Sequence, residues 1–152
     1  MQPVDINGVA HIQITVSNFE RCVPFYEQLF ELFDLKVVFR TPDFIFGVGG
    51  RTGLAVSRCA PEYRDQPFVQ QRIGLHHICF RARARADVDR VHERVRSFGA
   101  RIVHPPEEGP WAPGYYSVLF EDPDGIRLEV NHVPGKGNLD PSLRLPKPLP
   151  TP

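Results

Sequence analysis

The stretch Phe120-Glu121-Asp122-Pro123-Asp124-Gly125-Ile126-Arg127-Leu128-Glu129-Val130 decides how the rest of the chain is read. Its centre, Asp-Pro-Asp-Gly, puts a proline second and a glycine fourth in a four-residue turn, which suits a type I turn. Tyr115–Glu121 and Ile126–Asn131 on either side are expected as the two strands of a hairpin. On the second of them Arg127, Glu129 and Asn131 share a polar face, and Leu128 and Val130 point the other way.

The same alternation occurs twice more, towards the N-terminus. Val9 to Val16 sets Ile12, Ile14 and Val16 against His11, Gln13 and Thr15. Leu75 to Arg81 sets Ile78 and Phe80 against His77, Cys79 and Arg81. Each strand is followed by a helical period: Phe19, Val23, Tyr26, Phe30 and Phe33 after the first, and Val88, Val91, Val95 and Phe98 after the second. Ser17-Asn18-Phe19-Glu20 reads as a capping box that starts the first helix, and Pro24 is expected to end or kink its first turn. The second helix is expected over Asp87–Phe98, with Gly99 as its stop. Leu35–Phe39, Phe44–Val48 and Leu54–Ser57 read as short strands, with turns at Pro42-Asp43 and Gly49-Gly50. Arg101–His104 reads as a further strand, followed by a loop from Pro105 to Gly114.

The two rounds align. His11 and His77 stand 66 residues apart; Leu35-Lys36-Val37-Val38 matches Ala100-Arg101-Ile102-Val103, and Leu54-Ala55-Val56 matches Leu128-Glu129-Val130. The fold class is therefore α+β, a tandem strand–helix–strand–strand–strand repeat that pairs two modules to bury their apolar faces. The modules run over about 8–57 and 75–131, with a polar linker at 58–74, all within one domain of residues 1–133. Residues 134–152 are proline-rich and expected to form an extended tail.

Composition narrows the function. Lys and Arg total 18, as do Asp and Glu, so net charge supplies no attraction to nucleic acid or an anionic membrane. The seven arginines between residues 81 and 101 are interleaved with Asp87, Asp89 and Glu93, as on a solvated helix face. The three cysteines form no CxxC pair, and a reducing compartment fits them better than a disulfide framework. Neither a secretory leader nor a membrane-spanning run is recognised, so a cytoplasmic location is expected.

If the three polar strand faces line one concave surface, His11, His77 and Glu129 point into a shared cavity. Two imidazoles and a carboxylate with open positions suit Fe(II) and are usable by Mn, Ni, Co or Zn. The alternative is plain: an antiparallel sheet commonly has one wet face, where His and Glu are ordinary.

Three pieces of the chain, Gly8-Val9-Ala10-His11-Ile12, Gly74-Leu75-His76-His77-Ile78-Cys79-Phe80 and the opening hairpin, resemble the vicinal-oxygen-chelate superfamily in order over residues 8–131. That superfamily contains glyoxalase I, bleomycin-resistance proteins, fosfomycin-modifying thiol transferases, methylmalonyl-CoA epimerase and extradiol dioxygenases. The resemblance implies paired βαβββ units forming an incomplete barrel of mixed sheet with helices outside. It also implies one divalent metal ion held by His11, His77 and Glu129, with Glu129 at the catalytic centre. His76 is set aside, because strand parity puts it on the helix side. Glyoxalase I and the epimerase take a fourth ligand, a Glu, where this chain has Ala55, so a three-ligand site closer to the extradiol and fosfomycin enzymes is implied. The extradiol enzymes' further His and Tyr have only loose counterparts in His104, Tyr115 and Tyr116, and the basic pattern of the fosfomycin enzymes after the eighth strand is absent.

The resulting expectation is a metal-dependent lyase, isomerase or dioxygenase acting on a small oxygenated molecule. The rival is a metal-free protein that sequesters a ligand, of the bleomycin-resistance type. Gln13, Arg81, Tyr115, Tyr116 and Arg127 are the candidate substrate contacts, and a small molecule and a second copy of the chain the expected partners. The general base is unassigned: Gln13 cannot serve, which leaves Glu121 or a tyrosine. Cys79 is either a thiol beside the metal or an inert cysteine. Trp111 is either a lid over the pocket or an anchor for its loop.

Overall fold

The computed structural model describes residues 3–6 and 8–142. The expected tail therefore lies outside the described residues from 143 onward. The chain divides between Pro67 and Phe68 into two units, each built of four strands and one long helix.

The first unit begins with β1 (His11–Val16), in which His11, Gln13 and Thr15 are exposed while Ile14 and Val16 are buried. α1 (Phe19–Leu32) follows, then β2 (Lys36–Thr41), β3 (Phe44–Gly49) and β4 (Thr52–Arg58). The strand order is β1-β4-β3-β2, with β1 parallel to β4 and the other pairs antiparallel. α1 covers one face of this sheet. Phe19, Tyr26, Leu29 and Phe30 from the helix and Val16, Ile45, Leu54 and Val56 from the sheet are all at most 5% exposed, and each such side chain contributes roughly 1.5–3 kcal/mol by leaving water. Gly47 makes the contact possible, because a Cβ there would lie 2.7 Å from the Phe30 ring.

One expectation about α1 is corrected, and of the two offered for Pro24 the ending of the helix is set aside. Its cap is Asn18, whose Oδ1 accepts the Arg21 N–H at 2.9 Å. The Glu20 carboxylate instead pairs with Arg58 and bonds its own backbone amide, so it does not reach back to the cap residue. Pro24 does not end the helix, which runs on to Leu32. The proline forgoes one hydrogen bond near the N-terminus, and seven buried side chains on the same helix outweigh that loss.

The second unit repeats the plan with β5 (Ile78–Arg81), α2 (Arg85–Ser97), β6 (Arg101–Glu108), β7 (Tyr116–Glu121) and β8 (Arg127–His132). The order β5-β8-β7-β6 is the same, with β5 parallel to β8. Val88, Val91 and Val95 of α2 lie over Val118, Phe120, Leu128 and Val130, all of them buried. The Asp87 carboxylate accepts the Ala84 N–H at 3.0 Å at the helix start, and Gly99, at φ +80°, stops it. The hairpin turn closes through Gly125 N–H to Asp122 O at 3.0 Å, and Asp122 Oδ1 also accepts the amides of Asp124 and Ile126.

One strand outruns its expected end. β6 continues to Glu108, through Pro105 and Pro106. It is the edge strand, with irregular pairing between His104 and Glu107, and an edge tolerates proline because the missing N–H has no neighbour to serve. The fold class stands: α+β, with two four-stranded mixed sheets and no closed barrel among the described residues. No helix among the described residues is long and apolar enough to cross a membrane.

Candidate metal and substrate site

The strand registers fix the equivalence of the two units. Gln13 pairs with Ala55 across β1 and β4, and Cys79 pairs with Glu129 across β5 and β8. Gln13 lies two residues after His11 and Cys79 two after His77, so Ala55 is the counterpart of Glu129. The position from which a fourth ligand would come is occupied by a buried methyl group.

In the second unit a cavity of about 590 Å³ opens on the sheet face that carries Glu129. This carboxylate is 8% exposed, and both its oxygens are engaged. Oε1 accepts the Tyr115 hydroxyl at 2.5 Å, and Oε2 lies 3.2 Å from His77 Nε2. On the ring's other side, His77 Nδ1 is 2.7 Å from His76 Nδ1, which is 3.2 Å from Gln70 Nε2.

Tyr115 is held by its loop. Its backbone bonds Gly109 and Ala112 at 3.0 Å each. A Cβ on Gly109 would stand 3.1 Å from both the Trp111 and Tyr115 rings, so glycine lets the two aromatics pack in close as part of the cavity lining. Desolvation, followed by the hydrogen bond to Glu129, raises the Tyr115 phenol above its ordinary range, so it acts here as a donor. Cys79 is pushed up to about 12, first by desolvation and then by the Glu129 charge, although part of the residue is solvent-exposed. Such a thiol stays protonated near neutral pH.

The remaining expected residues are placed as follows. Arg127 lines the cavity and also lies 3.5 Å from Glu121. Glu121 itself is bound by Arg101 at 2.6 Å. Arg81 ends β5 as an exposed residue. Tyr116, the first residue of β7, turns to the helix side: its hydroxyl donates to Asp89 of α2 at 2.7 Å, and the Arg85 guanidinium sits 3.6 Å over its ring. In the first unit, His11 stands edge-on to Phe46 at 6.2 Å. Gln13 donates to Ser57 at 3.1 Å, and Thr15 shares the same hydroxyl.

His76 is a correction. It lines the cavity beside His77, because β5 begins only at Ile78 and strand parity does not extend back to it. Gln70 and Gln71, in the segment read as a linker, and His104 on the edge strand also line the cavity. The doubled histidine and the loose match of His104 to a further catalytic histidine were the signals for these residues in the sequence; Gln70 and Gln71 carried none.

Chemically, His77 and Glu129 offer one nitrogen and one carboxylate oxygen at a separation suited to neighbouring ligands of one ion, and the carboxylate is already oriented by a neutral donor. They fit a divalent cation as two of its donors. Among the described residues no three His, Cys, Asp or Glu side chains form a metal-holding group.

Residues 8–130 match the family model of the Glyoxalase/Bleomycin resistance protein/Dioxygenase superfamily. The chain is similar to metallothiol transferase FosB of Shouchella clausii (strain KSM-K16), 30% identical over 126 residues, which cover 83% of this chain and 80% of that relative. It is also similar to uncharacterized protein YqjT of Bacillus subtilis (strain 168), 26% identical over 122 residues, 79% of this chain and 94% of the relative. Among solved structures, a glyoxylase/bleomycin resistance protein/dioxygenase domain from Frankia sp. EAN1pec superposes with a TM-score of 0.69 at 27% identity, covering 84% of this chain and 98% of its own.

Proposed function

Because the chain belongs to the glyoxalase/bleomycin resistance protein/dioxygenase superfamily, we propose that it is a divalent-metal-dependent enzyme acting on a small oxygenated molecule. His77, Glu129 and His11 are the protein donors. The observation that carries this reading is the approach of His77 Nε2 to Glu129 Oε2 while Tyr115 occupies the other carboxylate oxygen. A carboxylate with one oxygen held by a neutral donor and the other beside an imidazole nitrogen is the arrangement that orients a ligating pair.

When bound, the ion supplies Lewis-acid polarisation of adjacent substrate oxygens. The chain's own residues do the rest. Tyr115 holds Glu129 Oε1 and leaves Oε2 as the donor atom. Arg127 offers a guanidinium to an anionic group on the substrate. Trp111 and Tyr115 restrict water at the mouth. The cavity volume falls within the usual range for small-molecule sites. Ala55 makes a three-donor set the reading to test first, with thiol-adduct, diketone and catechol substrates in the first screen.

The deciding experiment is elemental analysis of protein purified without chelators, beside the triple alanine variant at His11, His77 and Glu129. Near one equivalent of metal per chain, lost in the variant, supports the enzyme. Absence of metal after titration with Fe, Mn, Ni and Zn sinks it, and the cavity is then to be screened as a metal-free binder of small organic molecules.

A homodimer belongs to the same proposal. Its candidate contact is the edge strand β2, where Val37, Val38 and Phe39 are between 46% and 61% exposed. Sedimentation of a monomer at micromolar concentration would remove it.

A further inference from the structure

We infer that Gln70 and His76 form a hydrogen-bonded arm that holds His77 as its Nδ1–H tautomer and so presents the Nε2 lone pair to the cavity. This rests on the metal-site reading of His77 and adds to it a positioning pair that donates nothing to the ion.

His76 Nδ1 and His77 Nδ1 are 2.7 Å apart. At that separation one proton must lie between two neutral rings: two protons collide, and none leaves facing lone pairs. Gln70 decides which ring carries it. Its Nε2, an amide nitrogen and only a donor, stands 3.2 Å from the same His76 atom. His76 Nδ1 is therefore the acceptor, its single lone pair shared in a three-centre bond between the two neighbours, and the proton between the rings sits on His77 Nδ1. The lone pair of His77 is then on Nε2, 3.2 Å from Glu129 Oε2.

This tautomer is not what the metal-free pair would choose unaided. A proton on His77 Nε2 would bridge to the carboxylate and fill the site with a hydrogen bond of its own. The arm opposes that by offering the proton a better-placed acceptor on the far side of the ring. The second carboxylate oxygen is already engaged by Tyr115, so the two donor atoms face one another with an unsatisfied position between them. A cation relieves that repulsion and a neutral ligand does not.

The test uses the full chain, metal-free, in alkaline buffer. Long-range ¹H–¹⁵N correlation reads the tautomer of His77, and zinc titration reads affinity. Wild type should show His77 as Nδ1–H. His76→Ala should turn it to Nε2–H and weaken zinc binding about 10–100-fold, and His76→Asn, which restores an acceptor oxygen, should recover part of the loss.

Gln70→Glu keeps the shape and needs no cavity to collapse. A carboxylate there takes the proton of His76 Nδ1, leaves His77 Nδ1 as acceptor, and should weaken zinc binding. Added negative charge alone would strengthen it, so the sign separates the two effects. Nε2–H in wild type, or unchanged tautomer and affinity in both His76→Ala and Gln70→Glu, overturns the inference while leaving the metal site standing. Nδ1–H in wild type, lost in the variants, with no zinc bound by any protein, supports the arm and removes the metal reading instead.

Discussion

The sheet β1–β4 and the sheet β5–β8 have one topology and one register, yet only the second carries a furnished site. Opposite the residue two after each histidine stands Ala55 in one unit and Glu129 in the other. Phe46, beside Ala55, is matched by Leu119 beside Glu129, and Phe44, beside Ser57, by Ser117 beside Asn131. Around His11 the first unit sets the linked rings of Phe39, Phe44 and Phe46. Around His77 the second sets a carboxylate, a phenol and a second imidazole. The backbone repeat supplies places, and the residues that break the repeat supply chemistry.

The strongest way to break this contrast is to make the second unit copy the first. Glu129→Ala should lower zinc affinity by more than about 100-fold, beyond what loss of a supporting hydrogen bond costs. Calorimetric titration reads it, and retained affinity would show that the carboxylate is not a ligand.

The reverse probe asks what the first unit's small residues are for. Gly53 lies against the Phe46 ring, with an added Cβ only 2.5 Å from it and 3.2 Å from the His11 Cβ. Gly53→Ala should destabilise the protein by about 1–3 kcal/mol in urea unfolding. No change would mean that the aromatic packing beside His11 is loose.

Tyr115→Phe sharpens the comparison further, since only the Glu129 side has a supporting hydroxyl. A roughly 10-fold loss of zinc affinity is expected, with the unfolding midpoint little changed. Equal binding would assign Tyr115 to packing alone.

The smallest effect concerns the ion pair that displaced the expected cap. Glu20 is held at about 2, chiefly by its hydrogen bond with Arg58, against an ordinary 4.5. A depressed carboxylate stabilises the folded state above its unfolded pKa and loses that contribution as pH falls through the folded one. Wild type should therefore exceed Glu20→Gln in stability above about pH 4.5, and the gap should close towards pH 2. A gap independent of pH would show the pair to be inert, as exposed pairs often are.

The fold was largely legible because its signals are local. Alternation over His11–Val16 and the Asp-Pro-Asp-Gly turn each need only neighbouring residues, and the match of Leu54-Ala55-Val56 to Leu128-Glu129-Val130 is the one the strand registers bear out. What was misread depends on partners distant in sequence. Glu20 could not be told from a capping residue without Arg58, 38 positions away. Pro24 looked like a break until the buried face of α1 was weighed against it. Pro105 and Pro106 are acceptable only on an edge, and which strand is the edge is a tertiary fact. His76 was misplaced because parity was carried past the point where the strand begins. Of the site, His77, Glu129, Tyr115 and Arg127 were named from the sequence and come together in the second unit. Gln70 comes from a segment with no periodic pattern to announce it, and His104, named in the sequence only as a loose counterpart of a catalytic histidine, lines the cavity from β6.

The parallel pairing of the first strand of each unit with its last has a consequence for synthesis on the ribosome. His77 emerges at the start of the second unit and Glu129 on its final strand, so the donors meet only after the whole intervening meander has been threaded and the longest loop in the unit closed. A nascent chain halted in the turn before β8 lacks Glu129 and the strand that joins β5 to β7. On the proposed metal reading, the donor set is then incomplete until the last strand of the unit has been made, and a fragment released early would hold its histidines without Glu129.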